Sequence, residues 1–434
     1  MKYYSTNKTV SEISLKEAVT KGLADDKGLF MPERIEAFPP SFFETIHQLS
    51  FQEIAFEVAK KFFGEDIPND DLKTLVDDTL NFDCPIAHVN DNIFALELWH
   101  GPTLAFKDVG GRFMARLLGY FLQGNEEQVN VLVATSGDTG SAVANGFLGV
   151  PGIHVYVLYP KGLVSEIQEK QFTTLGQNIT AIEVDGTFDD CQRLVKTAFL
   201  DEELKSQLTL TSANSINVAR FLPQAFYYFN AYARLRERGL TEDLVVAVPS
   251  GNFGNLTAGL FGKKMGLPIK RFIAANNEND IVYNYLKTGQ YEPRPSVATI
   301  ANAMDVGDPS NFARILDLYD HSHEAIKAEM IGYRYSDAEI REVVKEVYHK
   351  YGYLTDPHGA TAYKALDESL QDGEVGVFLE TAHPAKFTET VEKIIGLGKV
   401  NLPEKLAAFM KGEKQTVPLS KDFEAFKKYL LAKS

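Results

Sequence analysis

Apolar positions along this chain follow two periods, and the order in which the periods alternate predicts most of its elements. Phe42, Phe43, Ile46, Leu49, Phe51, Ile54, Ala55, Val58 and Phe62 recur at helical steps, so the opening stretch reads as mainly helical. From about Phe94 the pattern changes. Short apolar runs at Phe94–Leu98, Val129–Ala134, His154–Tyr159 and Thr180–Val184 predict buried strands separated by helical stretches. Phe113, Met114, Leu117, Leu118 and Phe121 predict a helix from about Phe106 to Phe121, and another, longer one is expected from Ser215 to Arg236. A second alternating region opens at Leu244 and includes strands at Phe272–Ala275 and Val375–Leu379, followed after Leu402 by helices expected to pack on the larger domain. Strands alternating with helices imply parallel sheets covered on both faces, hence an α/β class. The expected division is a mainly helical segment, 1–92, a first α/β domain, 93–238, and a second, larger α/β domain, 239–434.

Two of these strands end in a glycine-bearing turn that opens a helix. The first is Thr135-Ser136-Gly137-Asp138-Thr139-Gly140, and the second is Pro249-Ser250-Gly251-Asn252-Phe253-Gly254-Asn255, leading into a helix to Met265. Such turns present backbone N–H groups to an anion and can seat a phosphate. Neither is a Walker motif, since no Gly-Lys-Ser/Thr ends it, and neither has the Gly-x-Gly-x-x-Gly spacing. Lys107 stands at the start of a predicted helix, in His100-Gly-Pro-Thr-Leu-Ala-Phe-Lys-Asp108. A helix start and burial both disfavour the ammonium form, and a neutral amine is the nucleophile of Schiff-base chemistry. That window alone fits a reactive lysine and a surface lysine equally well. A Schiff-base lysine together with a phosphate seat points to pyridoxal 5'-phosphate, which carries both an aldehyde and a phosphate.

With these residues in place, the chain resembles the threonine synthase family of fold-type-II pyridoxal-phosphate enzymes. The matching stretches are Gly28–Pro32, His100–Asp108, Ala134–Gly140, Ser212–Asn217 with Arg220, Val248–Asn255, Asn302–Asp305 and Thr381–Lys386, in family order along nearly the whole length. The length and long N-terminal segment look like the branch found in enteric bacteria and fungi. The resemblance implies two doubly wound, mostly parallel sheet domains, similar to the tryptophan synthase β architecture, with the helical segment in front.

It also implies roles. Lys107 matches the lysine that carries the cofactor as a Schiff base. Gly251, Asn252, Phe253, Gly254 and Asn255 match the cofactor-phosphate loop, and Thr381 matches the hydroxyl facing the pyridine nitrogen. Ser136 and Thr139 resemble the site of the substrate carboxylate. Ser215, Asn217 and Arg220, with Asn255 nearby, resemble the site of the substrate phosphate. Asp138 stands where many relatives place Asn. An ionised Asp can only accept, so it is either protonated at the cofactor 3'-oxygen or turned to another group. The implied reaction is γ-elimination of phosphate from O-phospho-L-homoserine, then β-hydration to L-threonine.

Composition narrows the alternatives. The 434 residues, 44% hydrophobic and 24% charged, fit a soluble multidomain enzyme. A net charge of −15 argues against nucleic acid or an anionic membrane surface as partner. Two cysteines, Cys84 and Cys191, and the absence of an apolar leader fit the cytoplasm, where a monomer or weak homodimer is expected. No metal is expected: His321 and His323 lie in an acidic, helix-prone stretch, and His358 reads as structural. His383 follows Thr381 and is within reach of the cofactor edge. Two other readings stand beside the main one: another fold-type-II enzyme, such as a serine/threonine dehydratase or cysteine synthase, and a non-catalytic protein that keeps the cofactor.

Overall fold

The computed structural model describes residues 1–124 and 128–433. The chain gathers into two compact units, each built from separated segments. The first draws on Met1–Met31, Lys107–Arg220 and the tail from Leu402; the second on Pro32–Phe106 and Phe221–Asn401. Each has its own parallel sheet, as the alternation of strands and helices requires.

In the first unit five strands run parallel in the order Val417–Ser420, Ile179–Asp185, Ile153–Pro160, Val129–Ala134, Thr209–Ser212. In the second the order is Met330–Arg334, Arg271–Asn276, Leu244–Pro249, Val375–Glu380, Ile93–Glu97, Ile86–Asn90, with only the last strand antiparallel. The two strands that lead into the glycine turns sit where the order reverses. Val129–Ala134 has the next strand in sequence on one side and the later strand Thr209–Ser212 on the other. Leu244–Pro249 likewise lies between Arg271–Asn276 and Val375–Glu380. In open parallel sheets the crevice beyond the carboxyl ends at such a reversal is where ligands bind. Each glycine turn therefore lies at its own sheet's switch point.

The structure departs from the sequence expectation in four places. Strand Ile93–Glu97, expected in the first α/β domain, pairs with Val375–Glu380 in the sheet of the second unit, and Ile86–Asn90 carries that sheet back across the expected boundary at residue 92. The tail adds Val417–Ser420 to the first unit's sheet and buries Phe426 and Leu430 with Cys191, Leu194 and Ile182, so it belongs to that unit and not to the larger one. The expected helix Ser215–Arg236 is broken into Val218–Phe221, a 3-10 turn at Leu222–Gln224 and Ala225–Glu237. Pro223 accounts for the break, because its ring and missing N–H interrupt helical hydrogen bonding. The opening segment contains strands Lys2–Ser5, Ile13–Ser14 and Phe30–Pro32 beside its helices.

Candidate active site

Lys107 is the first residue of helix Lys107–Leu122. The residues before it are fixed within the second unit: Phe106 donates its N–H to the Thr381 carbonyl at 2.8 Å, His383 donates to Leu104 at 3.0 Å, and Ala105 bridges Ala382. The helix itself packs through glycines. A Cβ on Gly110 would lie 2.4 Å from the Arg220 carbonyl oxygen, and one on Gly111 would lie 2.9 Å from that of Ala142. Arg220 is 2% exposed; its Nε donates to Ala213 at 2.7 Å and Nη1 to the Lys107 carbonyl at 3.3 Å. The guanidinium is thereby anchored to the backbone of the lysine itself.

The turn after Val129–Ala134 is organised by side chains. Thr135 Oγ1 accepts the N–H groups of Gly137 at 2.9 Å and Gly140 at 2.8 Å. Asp138 opens helix Asp138–Phe147, and its Oδ1 accepts from Gln168 Nε2 at 2.9 Å. Gln168 Oε1 accepts in turn from Ser165 at 2.9 Å. Asp138 thus serves as an acceptor on that oxygen, as an ionised carboxylate does. The Ser136 and Thr139 hydroxyls have no hydrogen-bond partner among the described residues, so both are available to a ligand.

Asn217 behaves differently from its neighbour Arg220. Its Oδ1 accepts the Ala219 N–H at 3.0 Å, and Nδ2 donates to the carbonyls of Val19 at 2.9 Å and Ser212 at 3.1 Å. The amide is fully committed to the protein, and the residue is 0% exposed. It ties helix Leu15–Lys21 to the turn carrying Ser215 and Arg220.

In the second unit the glycine loop opens helix Gly254–Lys264. Phe253 takes the left-handed conformation at φ 61°, which turns successive N–H groups toward one side, and the first helical N–H groups have no intrahelical acceptor. Gly251 lies against backbone, since a Cβ there would be 2.7 Å from the Ala303 carbonyl oxygen and 3.0 Å from Met304 Cα. Asn252 Oδ1 accepts the Ser310 N–H at 2.6 Å, and its carbonyl accepts the Asn311 N–H at 3.3 Å. Phe253 packs edge-on against Phe312. Asn255 Oδ1 accepts the Leu256 N–H at 2.8 Å, and its carbonyl accepts from Tyr228 at 2.7 Å. The loop fits a phosphate: a helix N-terminus, a left-handed residue and a glycine with no room for a side chain.

Thr381 follows strand Val375–Glu380, 7% exposed, and its hydroxyl also has no partner among the described residues. A hydroxyl left over at that point fits a ring nitrogen. His383 is otherwise engaged. Its Nδ1 accepts the Ala385 N–H at 3.0 Å, capping the turn Pro384–Phe387, and burial pushes it down to about 4, so it is a neutral cap. His323 pairs with the Leu286 carbonyl. Among the described residues no cluster of three His, Cys, Asp or Glu could hold a metal, and no helix is long and apolar enough to cross a membrane.

The sequence reading missed Gln168, Gly110 and Ala303. Gln168 lies thirty residues from Asp138 in an unremarked amphipathic helix, so only tertiary contact reveals it.

Comparison with known proteins agrees with this geometry. A family model described as pyridoxal-phosphate dependent enzyme matches residues 80–380, flanked by models for the threonine synthase N terminus at 2–80 and C-terminal part at 359–430. The chain is 45% identical to a threonine synthase of Escherichia coli over 99% of both chains, and 36% identical to that of Saccharomyces cerevisiae, covering 88% of this chain and 87% of the relative. The solved structure of the E. coli threonine synthase superposes with a TM-score of 0.94 at 44% identity, covering 100% of both chains. That of a PLP-bound threonine synthase from Brucella melitensis gives 0.91 at 35% identity, covering 99% of this chain and 98% of that one. Solved structures of diaminopropionate ammonia lyase, at 16% identity and a TM-score of 0.59, share the fold alone. The chain belongs to the threonine synthase family of pyridoxal-phosphate-dependent enzymes.

Proposed function

We propose that this chain converts O-phospho-L-homoserine and water to L-threonine and phosphate, acting as a carbon–oxygen lyase on cofactor held through Lys107. The observation that carries the reading is the union of Lys107 and Arg220 on one scaffold, with the Arg220 guanidinium bonded to the lysine's own carbonyl. A reactive amine and a fixed cation held together suit a substrate that has both an acidic Cα–H and a phosphate leaving group. Pyridoxal 5'-phosphate, when bound, supplies the electron sink for deprotonation at carbon.

The protein's own groups then divide the work. The Lys107 amine takes and returns protons at the substrate carbons, alternating as base and acid. The unpartnered hydroxyls of Ser136 and Thr139 receive the substrate carboxylate. Arg220 and Ser215 stabilise the phosphate as its bond to the γ-carbon breaks. Asn217, whose amide is spent on Val19, Ser212 and Ala219, holds that turn in shape. Residues Gly251, Asn252, Phe253, Gly254 and Asn255 would hold the cofactor phosphate and Thr381 its ring nitrogen. Asp138, oriented by Gln168 through one of its oxygens, would lie on the cofactor's 3'-oxygen side. Two buried free cysteines support a reducing cytoplasm.

The test is phosphate release from O-phospho-L-homoserine, O-phosphoserine and, as blank, homoserine, with threonine measured in parallel. Threonine and phosphate in equal amounts from the first substrate alone are expected. Release from phosphoserine at a comparable rate, or none from any, would overturn the assignment.

A further inference from the structure

Beneath the carboxyl end of strand Val375–Glu380 lies a group of buried polar residues whose protons have few places to go. Thr355, Asp356 and Glu380 are 0% exposed and His358 is 2% exposed. The Ala303 N–H lies 3.1 Å from His358 Nε2. A backbone N–H can only donate, so Nε2 carries no proton. The ring's proton is then on Nδ1, which donates to Asp356 Oδ2 at 2.7 Å. Asp356 Oδ1 accepts the Gly359 N–H, also at 2.7 Å. His358 is therefore a neutral imidazole of defined tautomer, joining a carboxylate to a backbone amide.

The carboxylate is held in place by a second acid. Glu380 Oε1 accepts the Asp356 N–H at 2.7 Å. Thr355 Oγ1 lies 2.9 Å from the Asp356 carbonyl and 3.0 Å from Glu380 Oε2. The hydroxyl has one proton, and the carbonyl can only accept it, so both contacts are hydrogen bonds only when Glu380 is protonated and donates to Thr355. Burial, and then the charge of Asp356, push the Glu380 carboxyl well above the usual range, in the same direction. Two buried acids thus carry one negative charge, and it faces His358. Gly359 closes the cluster: a Cβ there would meet Glu380 Oε2 at 1.6 Å.

The far end of the chain of bonds is Ala303, in the middle of the 3-10 turn Asn302–Met304 against which Gly251 lies. We propose that His358 is a positioning residue for the cofactor-phosphate loop: it holds Ala303, and through Ala303 and Met304 it sets where the backbone of Gly251 stands. This rests on the reading that residues 251–255 seat that phosphate. The role assigned to His358 is exerted through Ala303 alone.

Apo-protein of the wild type and of His358→Leu, His358→Asn and His358→Gln would be titrated with pyridoxal 5'-phosphate, following absorbance of the bound cofactor. Thermal melts of each apo-protein and kcat at saturating cofactor would be measured beside it. Gln can place an acceptor oxygen where Nε2 was; Asn can still pair with Asp356 but falls short of Ala303. The expected result is a cofactor dissociation constant raised about tenfold in the Leu and Asn variants, the size of one buried hydrogen bond, and restored to within about threefold by Gln. In all three kcat stays near the wild type once cofactor is saturating. If Leu does not fold, Asn against Gln decides. Asn binding cofactor as the wild type does, or Gln no better than Asn, would overturn the proposal. Wild-type protein that takes up no cofactor would instead overturn the assignment of residues 251–255.

Discussion

The two strand-end turns share a topology and are held by different shares of side chain and backbone. After Val129–Ala134 the chain is shaped by side chains, with Thr135 accepting two N–H groups and Gln168 fixing Asp138. After Leu244–Pro249 main-chain packing takes a larger share: Gly251 lies on Ala303 and Met304, and Asn252 meets the N–H groups of Ser310 and Asn311 through its side-chain oxygen and its carbonyl. A turn held by side chains leaves neighbouring hydroxyls free to meet a substrate and can be retuned one residue at a time. A turn held by backbone has less to adjust, which suits a cofactor phosphate that does not change between turnovers.

Substitutions can separate the two designs. The largest effect is expected at Asn217, which ties the first unit's turn to its N-terminal helix. Asn217→Ala removes the acceptor of the Ala219 N–H and the amide donor to the carbonyls of Val19 and Ser212, the first of which keeps only the Thr211 hydroxyl, at a cost of about 3 kcal/mol. Chemical denaturation should show that loss, and a variant of wild-type stability with only a raised KM would return Asn217 to direct substrate binding. Next come the two glycines. Gly251→Ala pushes a methyl into backbone and should weaken cofactor binding by about 1–3 kcal/mol. Gly137→Ala meets the end of the Gln168 side chain, which can swing away, although φ of 143° strains any residue with a Cβ. It should lower stability by about 1–2 kcal/mol and raise KM while leaving cofactor affinity close to normal. Equal loss of cofactor affinity in both variants would erase the distinction. The smallest effect is expected from Gln168→Ala, which removes one hydrogen bond to Asp138, worth about 1 kcal/mol. Its signature is a change in KM or in the bound cofactor's spectrum with little change in melting temperature. A silent spectrum and unchanged KM would make Gln168 mere packing.

Much of the architecture was legible in the chain. Strands buried on both faces are nearly continuous apolar runs, so Val129–Ala134, interrupted only by Asn130, has the expected bounds and Phe272–Ala275 only gains a residue at each end. The break at Pro223 was hidden because apolar spacing continues through it at Leu222, Ala225, Phe226 and Phe229, all buried. The parallel partner of Ile93–Glu97 and the partner of Val417–Ser420 lie far off in sequence, and nothing local specifies them. The site shows the same limit. Lys107 and the two glycine turns announce themselves by local pattern. Asn217 sits in the same motif as Arg220, yet only packing shows that its amide has no capacity to spare. His358 reaches Ala303 across fifty-five positions, and no periodicity records that.

The placement of residues 402–433 carries a consequence for biogenesis. Their strand extends the sheet that also holds Val129–Ala134, and Phe426 and Leu430 complete its core. During synthesis the half of the molecule that bears the lysine must therefore wait, with an open sheet edge and exposed apolar side chains, until residues 402–433 have left the ribosome. The other half, finished by Asn401, can be assembled first.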